Sequence, residues 1–402
     1  MKKVLIISYT FPPMSGVGGR RWCKLADGLV NLGCEVHVFS GTPRKFEVSP
    51  WNVNEKVKTM RLPNLFPSKL TQVPVNIFDK ILYRLSLIFM KTVTKSNYYD
   101  RAVLWKRKYH EIIYPFIIEN EITNVIATGG PFSIPYYATF LKKKIANLNL
   151  IVDLRDEWGA AEFYGFGIIS TKRQQAELKR LGATLNVADI VTVPYEYMAT
   201  KYKNYININK EKVKLLPHGF DGIFNSEQIN KNQGHHLKMV NFGSLHSGLE
   251  SIMKDLTFAV RNLDIQIAFF TNEFKYKDIF KNYNVNNKVN FNQTVSENEV
   301  SEIYRKSDAA LLFIPKHFKD SITTKYMEII ACRLPIVAVG EYGEVARFIE
   351  NNNLGVFIEK DEIKSKFINI QEILNNLQYN NKFDLTRYQL NHLSQQVYNL
   401  LK

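Results

Sequence analysis

Residues 3–41 read KVLIISYTFPPMSGVGGRRWCKLADGLVNLGCEVHVFSG. The continuous apolar run KVLIIS has the pattern of a buried strand. A Gly/Pro-rich loop follows, then the helically periodic WCKLADGLVNLG, then a second strand, CEVHVFSG. Strand, loop, helix and strand in that order form a β-α-β unit and argue for a parallel sheet. Further strands are expected at NVIATGG (124–130), NLIVDLRD (149–156), DIVTVP (189–194) and VKLLPHG (213–219).

Residues 220–236 are rich in Asn, Gln, Gly and Ser and read as an inter-domain linker. The pattern then restarts with LKMVNFGSL (237–245), IQIAFFT (265–271), KVNFNQTV (288–295), AALLFIP (309–315) and LPIVAVG (334–340). The expectation is α/β architecture with two doubly wound parallel-sheet domains, 1–222 and 223–384. A helical segment, 385–402, is expected to pack back toward the first domain. Ligands in such sheets bind beyond the carboxyl ends of the strands, so two facing domains would meet a ligand across a cleft.

The 402 residues carry 53 Lys and Arg against 38 Asp and Glu, a net charge of +15, which favours anionic partners. Three scattered cysteines, Cys23, Cys34 and Cys332, form no metal spacing and fit a reducing compartment. The N-terminal apolar run is short for a signal peptide, and no stretch of about 18 apolar residues is present. A cytoplasmic location is expected.

Several loops combine polar groups with strand ends. SGVGGRRW (15–22) follows a strand and opens a helix, so its backbone N–H groups would suit a phosphate, with Gly18 and Gly19 allowing close approach. It is not the dinucleotide fingerprint, because Arg21 stands where the third glycine would fall. The competing reading is a glycine turn that packs helix on strand. DLRDEW (153–158) gathers Asp153, Arg155 and Asp156 at a strand end. Arg155 either pairs with an aspartate to hold the loop or faces an acceptor, with Asp156 in an acid-base role. His218, in LPHGFD, is either structural or part of the site. His235 and His236 have no acid or Cys at ligand spacing and are not read as a metal site.

The stretch KDSITTKYMEIIACRLPIVAVG (319–340) begins polar, turns helical and ends as a strand. Ser321, Thr323 and Thr324 are candidate N-caps. The helix start, with its free N–H groups and positive dipole end, suits a diphosphate, and Lys325 adds a full charge. Glu328 is placed to accept from two ribose hydroxyls, and Asp320 from a sugar ring. The competing reading is a solvated helix start with a Lys–Glu pair.

These segments, with GGPFS (129–133), YRKSDAALLFIP (304–315) and TKYMEIIACRLPIVAV (324–339), occur in one order along nearly the whole chain. In that order the chain resembles bacterial GT-B glycosyltransferases of the retaining family 4. The resemblance implies two Rossmann-like domains, the first for the acceptor and the second for a nucleotide sugar, expected to be UDP-linked. It also implies no metal and no other cofactor. The family carries two glutamates with seven residues between them. Glu328 matches the second, which holds the ribose. Asp320 takes the place of the first, which contacts the donor sugar, with a reach one methylene shorter. Gly243, Ser244, Thr324 and Lys325 fall in the donor region. Ser244 and Gly248 stand near the places of an Arg and a Lys that many relatives direct at the diphosphate, which shifts that load to Lys325 and backbone N–H groups.

Residues 65–118 differ in character. In VNIFDKILYRLSLIFMKTVTK (75–95), Ile77, Phe78, Ile81, Leu82, Leu85, Ile88 and Phe89 share a helical face, and Lys80, Arg84, Lys91 and Lys95 flank it. The pattern suits either a helix in an anionic membrane interface or one packed on its own domain. No nucleic-acid-binding signature accompanies it, and no nucleic-acid partner is expected. The activity expected is transfer of a sugar to a glycan or lipid-linked acceptor in bacterial surface polysaccharide synthesis. The rivals are a catalytically silent nucleotide- or glycan-binding subunit and a nucleotide-sugar epimerase of the same fold.

Overall fold

The structure is a computed structural model that describes residues 1–14, 16–43, 51–159, 164–205, 208–220, 236–245 and 248–402. Ser15, His235 and almost all of the expected linker lie outside the described residues. The chain divides into two compact units. One comprises Met1–Gly219 with Gln389–Lys402, the other Phe220–Tyr388.

The first unit holds β1 (Lys3–Ile7), β2 (Glu35–Gly41), β3 (Lys58–Leu62), β4 (Asn124–Thr128), β5 (Asn149–Asp153), β6 (Ile190–Val193) and β7 (Val213–Leu215). Their order across the sheet is β3-β2-β1-β4-β5-β6-β7, every pair parallel. In β1, Val4 and Ile6 join a core with Trp22, Ala26 and Leu29 of the helix Val17–Asn31. Leu393 and Val397 of the helix Leu390–Leu400 complete the same core.

The second unit holds β8 (Leu237–Phe242), β9 (Ile265–Phe270), β10 (Val289–Asn292), β11 (Ala309–Ile314), β12 (Ile336–Gly340) and β13 (Gly355–Glu359). The order is β10-β9-β8-β11-β12-β13, again all parallel. Alternation explains why both faces are apolar. Leu311, Val337 and Val339 enter one core, and their neighbours Ala310, Leu312 and Ala338 enter the other. A parallel sheet covered on both faces requires such near-continuous apolar runs.

Two strands escape the sequence pattern. β3 (KTMRL) is an edge strand of mixed polarity, and β13 (GVFIE) is a short edge strand. Each pairs on one side only, so its sequence need not be apolar throughout.

Candidate functional site

Numbered within its own unit, each sheet runs 3-2-1-4-5-6, with a seventh strand added at the end of the first, and the direction of travel reverses between the first and fourth strands. That reversal opens a crevice beyond the carboxyl ends, where ligands bind in doubly wound sheets. In the first unit it lies between β1 and β4, and in the second between β8 and β11.

In the second unit, β8 ends at Phe242 and Gly243 follows with φ +97°. Lys325, the second residue of the helix Thr324–Ala331, donates from Nζ to the Phe242 carbonyl at 2.6 Å. The positive φ favours glycine, and a Cβ on Gly243 would stand 3.1 Å from that ammonium, a tight contact. Burial lowers the Lys325 pKa, and the charge of Glu328, three residues on, opposes the shift. Glu328 is half-buried and its charge also reaches Tyr304, whose phenol is pushed up by burial first and by Glu328 second. Thr323 occupies the N-cap position in extended conformation, but its hydroxyl does not cap the helix. Thr324 is half-buried and Ser244 exposed.

Asp320 has a bond that the sequence did not announce. Its Oδ1 accepts the backbone N–H of Glu344 at 3.0 Å, the first residue of the helix Glu344–Asn351. Beside it, the Val345 N–H donates to the Lys319 carbonyl at 2.9 Å. The carboxylate therefore satisfies a helix start and fixes the loop that precedes Lys325.

The first unit collects its polar residues at the ends of β1, β4 and β5. Arg155 Nε lies 3.1 Å from Asp156 Oδ2, and Arg155 Nη2 donates to the Tyr164 hydroxyl at 2.7 Å. The Tyr164 hydroxyl donates in turn to Asp156 Oδ2 at 2.8 Å. Burial works against the guanidinium charge, but Asp156 and Tyr164 outweigh it and hold the Arg155 pKa above its ordinary value. A side chain on Gly18 would overlap the Arg155 guanidinium, and one on Gly19 would press on Thr10. His218 is held well below its ordinary pKa by burial and by the positive charges of Arg21 and Arg155, so it is neutral at pH 7.

Beneath this layer, fully buried Asp153 accepts from Trp22 Nε1 at 2.9 Å and Thr192 Oγ1 at 2.7 Å and pairs with Arg21 Nη2 at 3.3 Å. Arg21 also donates to the carbonyls of Leu216 and Pro217, the residues just before His218. The structure thus gathers Lys325 with Gly243 and Glu328 in one unit, and Arg155 with Asp156, Gly18 and His218 in the other. Tyr164 was missed, because an isolated tyrosine in a loop carries no sequence signal. Among the described residues no three His, Cys, Asp or Glu side chains cluster as metal ligands would. His236 pairs with Asp264 on the surface.

The family model described as glycosyl transferases group 1 matches residues 261–388, within the second unit and including Asp320, Lys325 and Glu328. Solved structures match along the whole chain. Sucrose-phosphate synthase from Thermosynechococcus elongatus is 13% identical with a TM-score of 0.67, covering 100% of this chain and 98% of that one. WaaG, a glycosyltransferase involved in lipopolysaccharide biosynthesis, is 13% identical with a TM-score of 0.60, covering 99% of each chain. Anabaena HepE in complex with UDP-glucose is 13% identical with a TM-score of 0.57, again covering 99% of each. The fold is GT-B. A search of curated proteins gave no match. The glycosyl transferases group 1 match on this fold supports a glycosyltransferase.

Proposed function

We propose that the protein is a retaining, metal-independent glycosyltransferase of family 4 type that takes a nucleotide sugar as donor. The observation that carries this reading is the convergence of Lys325, Gly243 and Glu328 at the reversal point of the second sheet. In this reading Glu328 accepts from the ribose hydroxyls. Lys325 leaves the Phe242 carbonyl to meet the diphosphate, joined by backbone N–H groups at the start of the helix Thr324–Ala331. The cation and the helix dipole stabilise the departing diphosphate as the sugar becomes oxocarbenium-like. No carboxylate is assigned as nucleophile, and the leaving phosphate takes the acceptor's proton. A UDP-linked donor is favoured by the UDP-glucose bound in HepE. Arg155, Asp156 and His218 are assigned to the acceptor, a glycan or lipid-linked molecule used in building a bacterial surface polysaccharide at the inner face of the cell membrane.

A second reading has one observation in its favour. Asp320 stands where the family places a sugar-contacting glutamate, and one of its oxygens is committed to Glu344. A silent nucleotide-binding subunit would tolerate that commitment. Incubating purified protein with UDP- and GDP-sugars and a panel of acceptors separates the readings. Nucleotide release that depends on acceptor supports transfer, whereas binding without release supports the silent subunit. A changed sugar on intact nucleotide would point to isomerisation. Activity should persist in EDTA. Loss that Mg²⁺ or Mn²⁺ restores would refute the metal-independent mechanism.

A further inference from the structure

The helix Ile77–Val93 presents an apolar face to solvent. Ile77, Phe78, Ile81, Leu85, Ile88 and Phe89 are each between 50% and 77% exposed. At about 100° per residue these six fall within an arc of about 120°. The opposite side is the packed one. Met90 is fully buried there, with Leu87 beside it, against Phe66, Tyr98 and Val103. The usual rule for a surface helix, apolar stripe inward and polar face outward, is therefore only half obeyed.

The charges on this helix are sorted as well. Lys80, Arg84 and Lys91 are exposed, and their spacing puts all three along one edge of the apolar arc. The helix has one acid, Asp79, which falls on the inner side and pairs with Lys69 at 2.6 Å. Nothing negative on this helix stands on the outer arc. The residues just before it add Val73 and Val75, both more than 80% exposed.

A contiguous apolar patch of this kind marks an interaction surface. We propose that this face lies in the interface of an anionic lipid bilayer, with the helix parallel to the surface. Its apolar arc would enter the headgroup–acyl boundary while Lys80, Arg84 and Lys91 meet lipid phosphates. Charge complementarity selects this occupant over a second copy of the chain. Two copies packed with these helices antiparallel about a twofold axis would bring matching basic edges together, on a protein whose net charge is already +15. The inference deepens the acceptor reading by saying where a lipid-linked acceptor is met, and to that extent rests on it. The surface itself is tested without any sugar.

Co-sedimentation with phosphatidylglycerol/phosphatidylcholine vesicles, without donor or acceptor, is the experiment. Wild-type protein should bind these vesicles at low salt and bind pure phosphatidylcholine far less. The triple change Lys80→Glu, Arg84→Glu, Lys91→Glu should weaken binding on the order of a hundredfold, and high salt should mimic it. Ile81→Ser with Leu85→Ser should also release the protein, and all these positions are exposed enough for the variants to fold. In Phe78→Trp the indole emission should shift to the blue on vesicles. UDP binding should be unchanged in every variant, because Gly243, Lys325 and Glu328 belong to the other unit. Wild-type protein that ignores anionic vesicles at low salt would overturn the proposal. So would a dimer that Ile81→Ser with Leu85→Ser dissociates while vesicle binding persists.

Discussion

Glu328 and Asp320 are both carboxylates before the same strand, yet their surroundings differ. Glu328 sits near the Lys325 ammonium, and Asp320 is bonded to a neighbouring helix. Glu328→Gln keeps the shape and removes the charge. It should weaken donor binding by roughly 1.5–3 kcal/mol, the worth of a hydrogen bond to a charged group. Calorimetry with UDP checks this, and unchanged affinity in a folded variant would refute the ribose assignment. Asp320→Asn retains an acceptor for the Glu344 N–H, whereas Asp320→Ala leaves that helix start unsatisfied. Alanine should therefore lower stability by about 0.5–2 kcal/mol while asparagine should cost less, as read by urea unfolding. Lys325 and Glu328 were legible in the sequence because both lie within the first turn or two of one helix. The bond from Asp320 to Glu344 was not, since its partner lies 24 residues away and only the fold brings it near.

At the scale of elements, parallel strands were legible wherever both faces are covered, as in AALLFI of β11, and also at the edges β7 and β10, but not at the edge strands KTMRL of β3 and GVFIE of β13. The segment 65–118 was legible as different in kind, but periodicity alone does not say which side of an amphipathic helix faces the protein. One of its ties is Asp100, fully buried, which accepts the backbone N–H groups of Ala102 and Ser133 and so joins the segment to the helix Ser133–Lys144. Burial, reinforced by Glu177 and opposed by Arg180, raises the Asp100 pKa from 3.8 to about 6. The folded state then holds this proton more tightly than the unfolded chain does. Its contribution to stability is complete below the unfolded value and is lost as pH rises through about 6. Asp100→Asn should flatten the stability profile over that window, by an amount on the order of 3 kcal/mol. Urea unfolding across the window measures it, and identical slopes in both proteins would exclude Asp100 as the source. Helix packing gives a second case. A Cβ on Gly28 would lie 2.0 Å from the Ser394 Oγ, so the helices Val17–Asn31 and Leu390–Leu400 meet at a glycine. Gly28→Ala should cost roughly 1–3 kcal/mol by overpacking, and adding Ser394→Gly should return much of it. A thermal-melt double-mutant cycle reads the recovery.

For the whole molecule, the division into Met1–Gly219 with Gln389–Lys402 and Phe220–Tyr388 has a thermodynamic consequence. Each unit has its own sheet and its own core, so each has its own opening free energy. A ligand stabilises only the states that contain its site, by about 2.7 kcal/mol when its concentration is a hundred times its Kd. With the donor site at Gly243, Lys325 and Glu328, saturating UDP should slow amide exchange in β8, β11 and the helix Thr324–Ala331 by roughly a hundredfold. Exchange in β4, β5 and the helix Ser133–Lys144 should change much less. Glu328→Gln should reduce the protection in step with its loss of affinity. Reciprocally, Asp100→Asn should alter exchange in the first unit and leave UDP protection of the second intact. Protection by UDP confined to the strand ends around Arg155 and Asp156 would instead place the nucleotide in the first unit and reverse the roles assigned to the two sheets.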